Sequence, residues 1–245
     1  MPKKEAQEIN IQSSGDVSEQ TFSSFQLWWQ WVLADAAGGA VGLGAASLIG
    51  AALAWTVETA LGAFAGLAMM AILVFAGTFE GAVVGVAQAL VLRRWLKGLS
   101  WKKWVLATAV GALVAWILGM LPTTLMDFSA EATNTPAPEI SDAMQYAFAI
   151  LLGAVAGPIL GFAQWILLRR HVHKAGWWLA ANSAGWALGM PLVFVVAGSA
   201  PPEGITVGFA LVVVLTIAVV SAVVGAVHGL ALIWLLRRRA SQISS

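Results

Sequence analysis

The sequence predicts an all-α integral membrane protein: six transmembrane helices arranged as three repeated helical hairpins with pseudo-threefold symmetry. Three observations lead there. Hydrophobic residues make up 60% of the chain and charged residues only 10%, against about 25% charged in a soluble domain. The apolar residues collect into six runs, about 28–55, 61–92, 104–126, 144–168, 177–198 and 205–236. Two short words recur, one near the start of the odd runs and one near the end of the even runs.

Long apolar runs with few charges read as membrane spans, and the mean hydropathy of +0.83 agrees. A backbone in lipid must satisfy its own hydrogen bonds, so each span is expected to be a helix. Runs two and six exceed the ~20 residues that cross a bilayer and must tilt, bend or protrude. Gly77 and Gly208 are the expected bends. Residues 1–26 are polar and mixed in charge, without the apolar core of a signal peptide, and are predicted to be a disordered cytoplasmic tail. The membrane domain is placed at 27–239, with hairpins at about 28–92, 104–168 and 177–236, and 240–245 as a short tail. The stretch 127–143, DFSAEATNTPAPEISDA, reads as a long surface loop, the one candidate for a lid. With no Cys in the chain, disulfide and thiol chemistry is excluded.

Positive charge sets the orientation. Lys3 and Lys4 lie in the first tail. Arg93, Arg94, Lys97, Lys102 and Lys103 lie in the second connection, Arg169, Arg170 and Lys174 in the fourth, and Arg237, Arg238 and Arg239 at the end. With six spans these all fall on one side, which is then cytoplasmic, with both termini there. The opposite connections carry only acids: Glu58, then Asp127, Glu131, Glu139 and Asp142, then Glu203. The membrane is therefore expected to be the cell's inner, cytoplasmic one. The basic loops, flanked by Trp95, Trp101, Trp104, Trp177 and Trp178, read as interface anchors. Their expected partner is anionic lipid at Arg93, Arg94, Lys97, Lys102, Lys103, Arg169 and Arg170, not nucleic acid.

The repeat is carried by polar exceptions. WVLADAAGGAV from Trp31, WVLATAVGALV from Trp104 and WLAANSAGWAL from Trp178 align on Trp, on Ala three later and on Gly seven later. Four after the Trp stands a polar residue each time: Asp35, Thr108, Asn182. GAVVGVAQALVLRR from Gly81, GPILGFAQWILLRR from Gly157 and SAVVGAVHGLALIW from Ser221 share a Gly at the fifth place and a polar residue at the eighth: Gln88, Gln164, His228. Parallel repeats of this kind imply an axis along the membrane normal. The words from Gln164 to Arg170 and from Trp178 to Trp186 resemble those of a set of uncharacterised multi-pass bacterial membrane proteins. The resemblance implies a multi-pass membrane fold and carries no activity with it.

Depth pairs these side chains. At 1.5 Å rise per residue, Gln164 lies roughly 7 Å inside the basic boundary and Asn182 roughly 6 Å past its Trp. A Gln164–Asn182 hydrogen bond is therefore expected, with Gln88–Thr108 and His228–Asp35 as its counterparts. Polar side chains staple helices in lipid this way. Asp35 and His228 are ionisable as well, which makes them functional candidates.

Glu80 is the sharpest exception. It lies roughly 20 Å from Arg93, near the bilayer midplane, and the matching positions in the other repeats are Ala156 and Val220. The expectation is a protonated carboxyl facing the bundle interior, with Ser47 as a hydrogen-bond partner, or else a proton or cation site. The glycine pairs Gly38–Gly42, Gly62–Gly66, Gly185–Gly189 and Gly225–Gly229, and the series Gly77–Gly81–Gly85 and Gly153–Gly157–Gly161, predict close helix packing.

Catalysis lacks parts, so no enzyme is expected. His171 and His173 have no acid or Cys nearby to complete a metal site, so no metal is expected. No Ser stands beside a base. No cofactor is expected either, although His228, as a lone His in a span, is a weak candidate ligand for a haem or other pigment. The functional expectation is a non-enzymatic membrane subunit: an assembly or accessory protein, with a membrane-protein partner or a second copy of itself, or a binder of a lipophilic ligand. The alternative is a small proton- or cation-coupled transporter or channel using Glu80.

Overall fold

The computed structural model describes residues 23–133, 141–201 and 206–243. The tail 1–22, the middle of the long outer connection and the Glu203 loop lie outside the described residues. The side chains of Ser47 and Glu58 lie outside them too.

Every regular element described is helical. The long helices are α1 Ser24–Leu61, α2 Ala65–Trp95, α3 Trp101–Thr133, α4 Asp142–Leu168, α5 Trp177–Gly198 and α6 Val207–Ile243. Four of them start on a hydroxyl cap. Ser23, Ser100, Ser141 and Thr206 each accept from the backbone N–H three residues on, at 3.1–3.5 Å, which satisfies a donor that the first turn leaves open. Asp142 in the first turn of α4 suits the positive end of the helix dipole. A single short 3-10 turn, Gly62–Phe64, joins α1 to α2. Gly62 has φ +48° there, a left-handed conformation that glycine adopts without a Cβ penalty.

Five of the helices are long and apolar enough to cross a bilayer: Ala65–Trp95, Trp101–Met126, Asp142–Leu168, Trp177–Gly198 and Val207–Arg239. Their flanks expose large apolar side chains along their length, among them Phe75, Phe79, Leu106, Leu118, Val155 and Leu215. A soluble protein does not spread such residues over its whole surface; this is a membrane protein.

The helices close into a ring. Each packs against its neighbours in the chain, and α6 returns to α1. Trp28 Nε1 donates to the Ala226 carbonyl at 3.0 Å across that closing seam. The basic connections gather at one end. Arg237 donates to Ser24 Oγ at 2.9 Å, and Arg239 and Arg170 both act on His171. There the buried core sits: Leu27, Leu92, Leu96, Leu168, Leu232 and Leu235 surround three tryptophans.

Several expectations are corrected. α2 continues without a break through Gly77, which lies against the Trp116 indole, and Gly208 belongs to the first turn of α6 rather than to the middle of a span. The outer loop is shorter than 127–143, because α3 continues to Thr133 and α4 begins at Asp142. α6 likewise takes in residues 240–243, so these are not a tail, and α1 begins inside the expected tail, at Ser24. Gly62–Gly66 is not a packing pair among the described residues, since Gly62 turns the chain and neither glycine has a described neighbour where a Cβ would stand.

Candidate functional site

Each of the six helices contributes one buried polar residue to a single layer beneath the basic end: Asp35, Gln88, Thr108, Gln164, Asn182 and His228. Above them sit Trp31, Trp104 and Trp178, all 0% exposed. Their ring centroids form a nearly equilateral triangle, 6.4, 5.9 and 6.1 Å apart, with interplanar angles of 75°, 79° and 63°. Edge-to-face geometry of this kind satisfies the aromatic quadrupoles better than a flat stack. The tryptophans plug the bundle, and the polar layer lies directly under the plug.

The hydrogen bonds link neighbours around the ring and, between Gln164 of α4 and Gln88 of α2, cross its centre. Gln88 Nε2 donates to Asp35 Oδ1 at 2.7 Å. Gln88 Oε1 accepts from Trp104 Nε1 at 3.0 Å and from Gln164 Nε2 at 3.0 Å. Gln164 Nε2 also reaches Thr108 Oγ1 at 2.8 Å, and Gln164 Oε1 accepts from Trp178 Nε1 at 3.1 Å. Thr108 and Asn182 donate to the carbonyls of Trp104 and Trp178, one turn back in their own helices, at 2.9 and 2.8 Å.

All three expected pairs are therefore corrected. Gln164 does not bond Asn182, Gln88 does not bond Thr108, and His228 does not bond Asp35. Depth was the right criterion for membership of the layer and the wrong one for partners. A closely approaching glycine pre-empts each expected pair. A Cβ on Gly85 would lie 3.0 Å from Thr108 Cβ, one on Gly161 2.6 Å from Asn182 Nδ2, and one on Gly225 2.8 Å from Asp35 Cβ. Thr108, Asn182 and Asp35 thus rest on glycine backbones, and the longer Gln side chains extend past them to the centre.

The tryptophans also sort differently from expectation. Trp104 and Trp178 are not lipid-facing anchors but core. Trp101 and Trp177, at 55% and 59% exposure, do face outward, whereas Trp95 packs partly buried against the core. Around the rim, Arg238 lies over Trp234 at 4.4 Å, Arg169 over Trp165 at 5.0 Å and Lys102 over Trp101 at 5.8 Å, a mix of cation and ring suited to a membrane interface.

Glu80 stands apart from the layer. It is partly buried where α1, α2 and α3 meet. A Cβ on Gly42 would lie 2.8 Å from Glu80 Cα, and the Trp116 indole N–H donates to the Glu80 carboxyl group. Sequence reasoning missed Trp116. The signal was available, because Trp116 and Thr108 lie two turns apart on one face of α3, the face that meets Gly77 and Gly85.

A second missed contact explains Pro158, which lies inside α4. A proline removes the N–H that would bond the carbonyl four residues back. That carbonyl belongs to Ala154, and Ser183 Oγ of α5 donates to it at 2.8 Å. On the far flank of Pro158 the interface opens. An apolar groove of about 360 Å³ runs between α3 and α4, lined by Val110, Val114, Leu118, Pro158, Phe162 and Ala163 among others. This pair of helices packs least closely of the six neighbouring pairs.

In comparisons with protein families, curated proteins and solved structures, nothing matches the chain.

Proposed function

We propose that this is a non-enzymatic multi-pass protein of the cytoplasmic membrane that binds a lipophilic ligand or packs as an accessory subunit through the α3–α4 groove. The observation that carries this reading is the contrast between the groove and the interior. The groove is apolar, faces outward and falls within the ~300–1,000 Å³ of ligand pockets. The polar residues are turned inward and are largely bonded to one another. A lipid acyl chain suits the groove's chemistry. Anionic headgroups suit the rim of Arg93, Arg94, Lys97, Lys102, Lys103, Arg169 and Arg170.

The same reading makes α1 the sixth span and the bundle three hairpins, α1–α2, α3–α4 and α5–α6, about a pseudo-threefold axis. Word-equivalent contacts support it. Between hairpins, Gly85 meets Thr108, Gly161 meets Asn182 and Gly225 meets Asp35. Within hairpins, Gly38 meets Val84, Gly111 meets Leu160 and Gly185 meets Val224. The basic end is then cytoplasmic, and cysteines introduced at Lys102 and Ser199 should label from opposite sides.

A pigment on His228 fits poorly. The residue is 4% exposed, its ring centroid lies 5.1 Å from that of Trp178, and the seam beside it is tight at Gly225 and Gly229.

The test is native mass spectrometry of protein released from nanodiscs. The parent should retain a lipid-mass adduct, and Ala163→Phe, which fills the groove, should lose it while unfolding at the parent's temperature. Proton or cation flux into proteoliposomes, abolished by Glu80→Gln, would overturn this reading in favour of transport.

A further inference from the structure

The polar layer treats its three tryptophans unequally. Trp104 Nε1 and Trp178 Nε1 each donate to the Gln of the preceding helix, Gln88 and Gln164, at 3.0 and 3.1 Å. By the same rule Trp31 would donate to His228 of α6. It does not. Trp31 Nε1, Asp35 Oδ2 and both ring nitrogens of His228 are buried and have no hydrogen-bond partner among the described residues. The four atoms belong to one seam. Trp31 and Asp35 are one turn apart on α1. Asp35 Oδ2 lies 2.9 Å from where a Cβ on Gly225 would stand, and Trp31 Cδ1 lies 3.5 Å from where one on Gly229 would stand. His228 lies between those two glycines along α6.

The inventory of these atoms selects the ligand. Trp31 offers a donor and nothing else. Asp35 Oδ2, as a carboxylate oxygen, offers an acceptor. A neutral His228 offers one of each. A metal cation is opposed by the indole N–H, and an anion by the carboxylate. Water both donates and accepts, and buried water typically makes about three bonds to polar groups that are otherwise unsatisfied.

We propose that the α1–α6 seam binds ordered water bridging Trp31, Asp35 and His228, and that the two seams closed by glutamine are dry. The replacement of Gln by His and of Thr or Asn by Asp in this one seam is what creates the site. Gln88 holds the other carboxylate oxygen of Asp35 at 2.7 Å, so Oδ2 is kept turned toward α6. A hydrated carboxylate and imidazole in the same seam form a place where a proton can pass between side chains through water, beside a plug that is otherwise sealed. This inference does not depend on what the α3–α4 groove binds.

The three indole N–H groups serve as controls for one another. In full-length protein labelled with 15N-tryptophan and 15N-histidine in nanodiscs, the Trp31 indole proton should show a cross-peak to water. It should also exchange with D2O on the order of tenfold faster than those of Trp104 and Trp178. His228→Gln restores the acceptor present in the other seams. It should remove the cross-peak and slow Trp31 to the rate of its two counterparts. Equal slow exchange at all three indoles in the parent, without a water cross-peak at Trp31, would overturn the proposal. So would a direct Trp31–His228 bond seen as a coupling between their nitrogens. The comparison within the parent decides the matter even if the variant fails to fold.

Discussion

The two halves of the bundle are held together differently. At the basic end, large side chains fill the centre: three tryptophans, a shell of leucines and a hydrogen-bonded layer of amides. Beyond that layer the helices approach through glycine. Gly153 meets the Trp186 carbonyl, Gly157 the Asn182 carbonyl and Gly77 the Trp116 indole. The outward surface there carries Phe75, Phe79 and Leu118. The difference follows from the solvent. In lipid, burying an apolar side chain between helices gains little, so close van der Waals contact and inter-helix hydrogen bonds do most of the work. Near the interface, water and headgroups are close, and a filled aromatic core also seals the end against them.

Substitutions at the two halves should therefore fail to different degrees. The largest effect is expected for Trp178→Ala. It removes two edge-to-face contacts and the packing on His228, and it leaves Gln164 Oε1 without its indole donor. A loss of about 3–5 kcal/mol is expected, the range for a buried Trp or Phe cut to Ala. Detergent-induced unfolding measures it. A loss no greater than that of a glycine variant would erase the distinction between the halves. Gly157→Val comes next, because its new side chain would enter the backbone of α5 at Asn182 and Ser183. Overpacking costs about 1–3 kcal/mol, and the same unfolding assay should register it as a drop below the parent. An unchanged midpoint would mean that α4 and α5 slide apart freely and that the seam is not tight.

The smallest effect concerns the rim. His171 lies in the loop between α4 and α5, and its pKa is lowered from the ordinary 6.5 by partial burial first and then by Arg239 and Arg170. The folded state thus binds this proton less readily than the unfolded one. The stability it contributes is present above pH 6.5 and is lost as the pH falls from there toward the lowered folded value. Unfolding followed between pH 7.5 and 5 should show a slight acid destabilisation that His171→Gln removes. A profile identical in parent and variant would show that the basic end tolerates one more positive charge.

Much of this was readable from the residues. Composition and run length were enough for a helical membrane protein, because a bilayer leaves few ways to satisfy a backbone. The apolar run 177–198 coincides with α5. The six polar exceptions read as one layer because the helical rise converts sequence position into depth. Rotation about the helix axis is not readable that way. Trp104 and Trp178 adjoin the basic loops, yet they point to the bundle centre. Trp101 and Trp177, just before them, point out. Only packing decides which way each helix is turned.

Partner choice was likewise decided in three dimensions. Gln164 and Asn182 share a depth on adjacent helices, and depth alone predicts a bond between them. Gly161 brings the helices too close for it: Asn182 rests on the glycine, and Gln164 extends to Gln88, Thr108 and Trp178. The Ser183 bond to the carbonyl freed by Pro158 depends on the same closeness of α4 and α5. Sequence by itself determined which residues are polar at which depth, since lipid makes every such residue an exception to be accounted for. Tertiary structure alone decided which of them touch and which are left without a protein partner, because contact depends on helix rotation and separation, and small residues set both.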